Sequence, residues 1–135
     1  DLKRLPPDLQ QMMEEAAAKS ADRTGITVNV AFNYGGRDEI VHAARQLAQD
    51  CLEGRLSPEE IDEARFAGKL YTAGQPDPDL IIRPSGELRL SNFLLWQAAY
   101  AELVFLNVLW PDFSPADLDE AILQYLHRSR RFGGI

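Results

Sequence analysis

From position 70 onward every lysine-or-arginine position is an arginine, and these arginines fall into two groups: Arg83 with Arg89, then Arg128, Arg130 and Arg131. Arginine presents a planar fork of N–H donors that matches the oxygens of a phosphate or carboxylate, whereas lysine is a compact point charge. Between the first two lies Pro84-Ser85-Gly86, the composition of a tight turn, and two residues beyond Arg89 comes the hydroxyl of Ser91. Two forks, a hydroxyl and a helix start at Ser91 or Asn92, whose free amides favour anions, would make a cradle for a diphosphate. Two plainer readings compete with it. The arginines could form ordinary surface ion pairs, and Arg83 could cap carbonyls at the end of a strand.

The composition limits what such a site can serve. With 135 residues, 45% of them apolar and 26% charged, the chain is long enough for one domain with a buried core. The 14 Lys and Arg against 21 Asp and Glu give a net charge of −7, which argues against a nucleic-acid partner held by phosphate neutralisation over the whole surface. The single cysteine, Cys51, rules out an internal disulfide and a thiolate metal cage and points to a reducing, cytoplasmic compartment. Cys51 itself lies on an apolar stripe and reads as a small hydrophobe. No apolar stretch approaches a membrane span, no signal peptide is visible, and the chain begins at Asp1 rather than Met, as a trimmed product would.

Helices and strands alternate along the chain. Pro6, Pro7 and Asp8 open a helix with an apolar stripe of Leu9, Met12, Met13, Ala16 and Ala17. Ile26, Val28, Val30 and Phe32 alternate with smaller residues, the period of a strand, which runs into a turn at Asn33-Tyr34-Gly35-Gly36. Ile40, Ala44, Leu47 and Cys51 mark one helix face, with Gly54 placed to stop it. Ser57-Pro58-Glu59-Glu60 has the form of a capping box and predicts a further helix. Leu80-Ile81-Ile82 reads as a strand buried on both faces, the segment from Ser91 to Gln97 as a short apolar helix, and Leu103 to Leu106 as a third strand. Ser114-Pro115 opens a last helix with Leu118, Ala121, Ile122 and Tyr125 on one side. Strands separated by helices predict an α/β fold, a parallel sheet flanked by helices. In such a sheet ligands bind beyond the carboxyl ends of the strands, which is where Arg83 falls. Trp96, Tyr100, Phe105 and Trp110 are expected to pack core and subunit interface, and His42 and His127 to be solvated or core histidines rather than ligands.

Four ordered stretches carry a resemblance. They are NYGGRDEI at 33–40, DLIIRPSGELRLSNFLLWQAAYAEL at 79–103, LWPDF at 109–113 and RRFGG at 130–134. Together they resemble the cis-prenyltransferases, the undecaprenyl diphosphate synthase-like isoprenyl transferases. The resemblance implies condensation of isopentenyl diphosphate onto an allylic diphosphate such as farnesyl diphosphate, with cis double bonds, Mg²⁺ and loss of pyrophosphate. It implies that Arg83, Arg89 and Ser91, with Leu90 between them, bind the diphosphate of isopentenyl diphosphate, and that Glu102 belongs to the magnesium site. Residue by residue, a structural ion pair would account for Glu102 as well, and an ordinary glycine turn with a structural arginine would account for 33–37.

The Arg131-Phe132-Gly133 element resembles the family's terminal arginine-x-glycine, which reaches an active site across a homodimer interface; a frayed basic tail is the plainer alternative. Lipid products imply peripheral membrane contact and a role in cell wall precursor synthesis. Nothing in the chain resembles the family's amino-terminal Asp-Gly-Asn-Gly-Arg-Trp segment, which supplies the catalytic aspartate, so no catalytic residue is assigned. Residues 1–135 therefore read as the carboxy-terminal part of one transferase domain, its sheet incomplete and inactive alone. The alternative is a noncatalytic accessory subunit of a heteromeric transferase.

Overall fold

The computed structural model of the protein describes residues 5–128, which divide after Gly35 into two units. In the first, α1 spans Pro7–Ser20. Pro7 occupies the opening position, where a missing N–H costs nothing, and Asp8 and Lys19 stand at the ends that suit the helix dipole. The predicted stripe is shallow: Leu9 and Met13 are half-buried, while Met12, Ala16 and Ala17 are exposed. The strand expected at 26–32 does not form. The alternation is present, but a strand exists only as one side of a hydrogen-bonded ladder, and the sheet among the described residues does not include this segment. Ile26 and Val28 are left 91% and 76% exposed.

The second unit opens with α2, Gly36–Leu52. Its buried seam is Gly36, Glu39, Ala43 and Leu47, at helical spacing. Of the residues expected on that face, Leu47 is buried, Ile40 and Cys51 are half-buried beside the seam, and Ala44 is exposed. The seam is rotated because a carboxylate lies within it, satisfied by hydrogen bonds, which polarity alone would place outside. Gly54, in the left-handed conformation at φ +70°, follows the end of the helix. The helix predicted at Ser57 is a single 3-10 turn, Pro58–Glu60, in which the Ser57 amide donates to Glu60 Oε2 at 2.8 Å. Ile61 is extended and ends it, and Asp62 starts afresh by accepting from the Arg65 amide at 2.8 Å as the cap of α3, Glu63–Ala67.

Among the described residues two parallel strands form the sheet, β1 (Leu80–Arg83) and β2 (Glu102–Phe105), with Leu80 opposite Glu102 and Arg83 opposite Phe105. The connection between them carries a 3-10 turn, Gln97–Tyr100, and no α-helix. α4, Pro115–Leu126, packs against β2, so Val104, Leu106 and Ala121 form a core joined by Leu80, Ile82, Val108 and Phe113. The α/β class with a parallel sheet and flanking helices is as expected, though β1 is fully buried only at Ile81.

α4 buries Ala121 alone and leaves Leu118 and Ile122 exposed. Trp96 packs on Phe66, ring centroids 4.4 Å apart, but Tyr100 and Trp110 lie outside the core, Trp110 stacked on Phe113 at the surface. No helix among the described residues is long and apolar enough to cross a membrane.

Ser114 caps α4: its amide donates to Asp117 Oδ2 at 2.7 Å and its hydroxyl to the same oxygen at 2.5 Å, while the Asp117 amide returns to Ser114 Oγ. Because α4 covers β2, losing the cap loosens the core. Ser114→Ala is expected to lower stability by about 1 kcal/mol in denaturant unfolding, and an unchanged midpoint would contradict the capping role.

Candidate functional site

β1 ends at Arg83, and parallel pairing with β2 fixes that residue at the carboxyl end of the sheet. The chain then reverses through Ser85 (φ +79°) and Gly86 (φ +68°), whose amides donate to Val108 O at 2.7 Å and Leu106 O at 2.9 Å. Gly86 takes its positive φ without strain, and a Cβ there would lie 2.9 Å from Asn107 Oδ1, so that side chain would have to shift. The turn thus seats the next residues against the segment following β2.

The reversal brings three charged side chains together. Glu87 Oε2 accepts from Arg83 Nη2 at 2.5 Å, and Glu87 Oε1 accepts from Arg89 Nη2 at 2.7 Å. One carboxylate bridges both guanidinium forks. The Arg83 hydrogen bond, with the positive charge of Arg89 beyond it, holds the Glu87 carboxyl below the usual carboxylate range. Arg83 Nε is buried and has no hydrogen-bond partner, and Arg89 is two-thirds exposed. Leu90 is half-buried and its carbonyl accepts from the Phe93 amide at 3.0 Å; Ser91 is exposed at φ +48°. The helix expected to start at Ser91 is absent, since Ser91, Asn92 and Leu94 all have positive φ, which a right-handed helix excludes. The anion-binding amides of a helix start are therefore not part of the site.

Glu102 stands apart from this cluster. As the first residue of β2 it lies three strand positions from the level of Arg83, roughly 10 Å along the sheet. Its Oε2 accepts from Arg128 Nη1 at 2.9 Å, and the same nitrogen donates to Leu103 O at 2.9 Å. Magnesium takes several oxygen ligands in octahedral geometry. Among the described residues no group of three or more His, Cys, Asp or Glu side chains comes together to hold a metal ion. Among the described residues Glu102 is paired with Arg128, and a magnesium site there would take further ligands. Arg130, Arg131 and Gly133 lie outside the described residues. His42 is in contact with Gln46 and the Tyr71 ring, and His127 Nδ1 with Leu123 O at the end of α4.

Sequence reasoning passed over two features. Glu87 was legible from its spacing, four residues after Arg83 and two before Arg89. The other is a polar network: Glu39 Oε1 accepts from the Tyr71 amide at 2.7 Å, and Gln97 Nε2 donates to both Glu39 oxygens at 3.2 Å and to Thr72 Oγ1 at 2.9 Å. Glu39 and Gln97 are both buried, and no sequence signal marks either as inward-facing.

With this geometry in view, comparison with known proteins is informative. The family model described as "Putative undecaprenyl diphosphate synthase" matches residues 1–133. An isoprenyl transferase of Heliobacterium mobile is 53% identical over 131 residues, covering 97% of this chain and 50% of that protein. One of Rhizobium meliloti is 54% identical over 135 residues, covering all of this chain and 55% of its own length. The chain spans about half the length of the curated relatives it matches. Among solved structures, lavandulyl diphosphate synthase of Lavandula x intermedia, in complex with dimethylallyl diphosphate, superposes with a TM-score of 0.96 at 45% identity, over 99% of this chain and 58% of that one. A probable undecaprenyl diphosphate synthase of Campylobacter jejuni gives 0.82 at 34% identity, over 99% and 60%. A parallel strand pair delivering two arginines to one sheet end, within a sequence matched almost end to end, makes this chain a member of the undecaprenyl diphosphate synthase family of isoprenyl transferases.

Proposed function

We propose that this chain holds isopentenyl diphosphate for a cis-prenyl transfer, with Arg83, Arg89 and Ser91 as the diphosphate contacts. The observation that carries the reading is the Arg83–Glu87–Arg89 bridge. Two guanidinium groups converge on one anion, and a buried Arg83 donor remains without a partner. A diphosphate offers more oxygens than a carboxylate and can take the same forks while reaching the Ser91 hydroxyl. The second substrate in this reading is an allylic diphosphate; the lavandulyl relative, bound to dimethylallyl diphosphate, supports that class.

The reaction divides the labour. Isopentenyl diphosphate must be held in line with the carbon that loses pyrophosphate, and the leaving diphosphate needs donors of its own. The described residues furnish the first group of donors, so in this reading the chain acts as the acceptor-binding part of a larger transferase. The retained pair of arginines favours that role over a noncatalytic accessory one. Magnesium at Glu102 would need ligands beyond those described, and release of the carboxylate by Arg128. A homodimer suits the apolar side chains that α4 leaves exposed, Leu118, Ile122 and Leu126, and a lipid product suits peripheral membrane contact of a cytoplasmic protein.

Calorimetric titration of isopentenyl diphosphate into the full chain tests the reading. Loss of one charge-assisted phosphate contact costs about 1.5–3 kcal/mol, so Arg89→Ala is expected to weaken binding roughly ten- to a hundred-fold; unchanged affinity would refute the cradle. The bridge also has a pH signature. Glu87 is held below its ordinary value of 4.5, so its contribution is present above that pH and is lost as pH falls through the lowered folded-state value. Glu87→Gln, which carries no titrating group, should give a flatter acid limb in thermal melts between about pH 5 and pH 3. Identical acid limbs would contradict the bridge.

A further inference from the structure

We infer that Asn92 is a positioning residue, clamping the arginine–serine turn to the amino end of α2 and so holding Arg89 and Ser91 in their anion-binding arrangement. This rests on the isopentenyl diphosphate reading above.

Two contacts carry the inference. The Asn92 carbonyl accepts from the Gly36 amide at 2.7 Å, and Asn92 Oδ1 accepts from the Arg37 amide at 2.9 Å. The first amides of a helix have no partners within it and are usually satisfied by the residue just before. Here Asn92, far along the chain, supplies both acceptors, so the cap of α2 doubles as a tether for the loop. Asn92 sits at φ +66° between Ser91 at +48° and Leu94 at +46°. Left-handed backbone at successive non-glycine residues is unfavourable and persists only where surroundings impose it. Asparagine tolerates that conformation better than most residues, which fits it to bear the tether.

The seat is close-fitting from the other side as well. A Cβ on Gly36 would lie 2.9 Å from Leu95 Cγ and 3.1 Å from the Asn92 carbonyl. At the far end of the loop, Gln97 is pinned to Glu39, one turn into α2. The segment from 92 to 97 is thus fastened to α2 at both ends, and Ser91 and Arg89 immediately precede the first fastening. The strained turn has no hydrogen-bonded helix of its own to preserve it, so Asn92 supplies its rigidity.

Three variants of the full chain separate positioning from simple stability. Asn92→Gly keeps the left-handed backbone but removes Oδ1; Asn92→Asp keeps the acceptor; Gly36→Ala crowds the seat against Leu95 and the Asn92 carbonyl while leaving the Asn92 side chain and both arginines in the sequence. Isopentenyl diphosphate is titrated well below each melting temperature, alongside Arg89→Ala. Asn92→Gly and Gly36→Ala are expected to weaken binding by roughly three- to ten-fold, as one lost hydrogen bond would, while Asn92→Asp stays within about three-fold of the parent. A lowered melting temperature with unchanged affinity in both Asn92→Gly and Gly36→Ala would overturn the inference. So would failure of Asn92→Asp to restore what Asn92→Gly loses. If Arg89→Ala binds normally, it is the site reading that fails; if Arg89→Ala is impaired while the other variants bind normally, the site stands and the clamp does not.

Discussion

Two guanidinium groups brought together at the carboxyl end of a sheet repel each other unless an anion lies between them. The Glu87 carboxylate supplies that anion here, and the strand end and turn around it place all three side chains. β1 ends at Arg83, the chain reverses at once and returns Arg89 to the same place, and the reversal brings Glu87 between them. Gly86 permits the reversal, and the amides of Ser85 and Gly86 anchor it to the segment after β2. That segment is in turn held by the Val104, Leu106 and Ala121 core under α4. The charge geometry and the hydrophobic core therefore share one short stretch of chain.

In the proposed reading, the bridge is a self-satisfied state that a more oxygen-rich anion replaces. Exposed ion pairs contribute little to stability, because solvent screens them and long side chains lose entropy. Arg89 is mostly exposed, so its pairing with Glu87 is more easily exchanged than that of Arg83, whose Nε is sequestered. The two arginines are unequally held, Arg83 by its place at the end of β1 and its sequestered Nε, Arg89 by an exposed ion pair. Arg128 and Glu102, paired at the opposite end of the sheet, belong to a separate arrangement.

Periodicity and punctuation made part of this legible. α1, α2, α4 and the two paired strands follow from apolar spacing, Pro at helix starts and Gly54 beyond the end of α2. The arginines stood out by residue type and spacing, and the structure brings Arg83 and Arg89 together on Glu87. Where the reading failed, tertiary contacts outweighed local pattern. Residues 26–32 have the alternation of a strand but are not part of the sheet among the described residues. Ser57 begins a capping box, yet Ile61 turns extended and the helix stops after one 3-10 turn. Ser91 and Asn92 look like helix caps but adopt left-handed backbone, because Asn92 is already capping α2. Glu39 and Gln97 are buried polar residues joined by hydrogen bonds from Gln97 Nε2 to the carboxylate, a pairing between positions too distant for any local rule to register.

The central claim is that Arg83, Arg89 and Ser91 form a diphosphate site whose resting occupant is Glu87. A crystal structure of the full chain with isopentenyl diphosphate tests it most directly. The account predicts phosphate oxygens on both guanidinium groups and on the Ser91 hydroxyl, with the Glu87 bridge to Arg89 opened. Diphosphate bound elsewhere, with the Arg83–Glu87–Arg89 bridge intact, would contradict it.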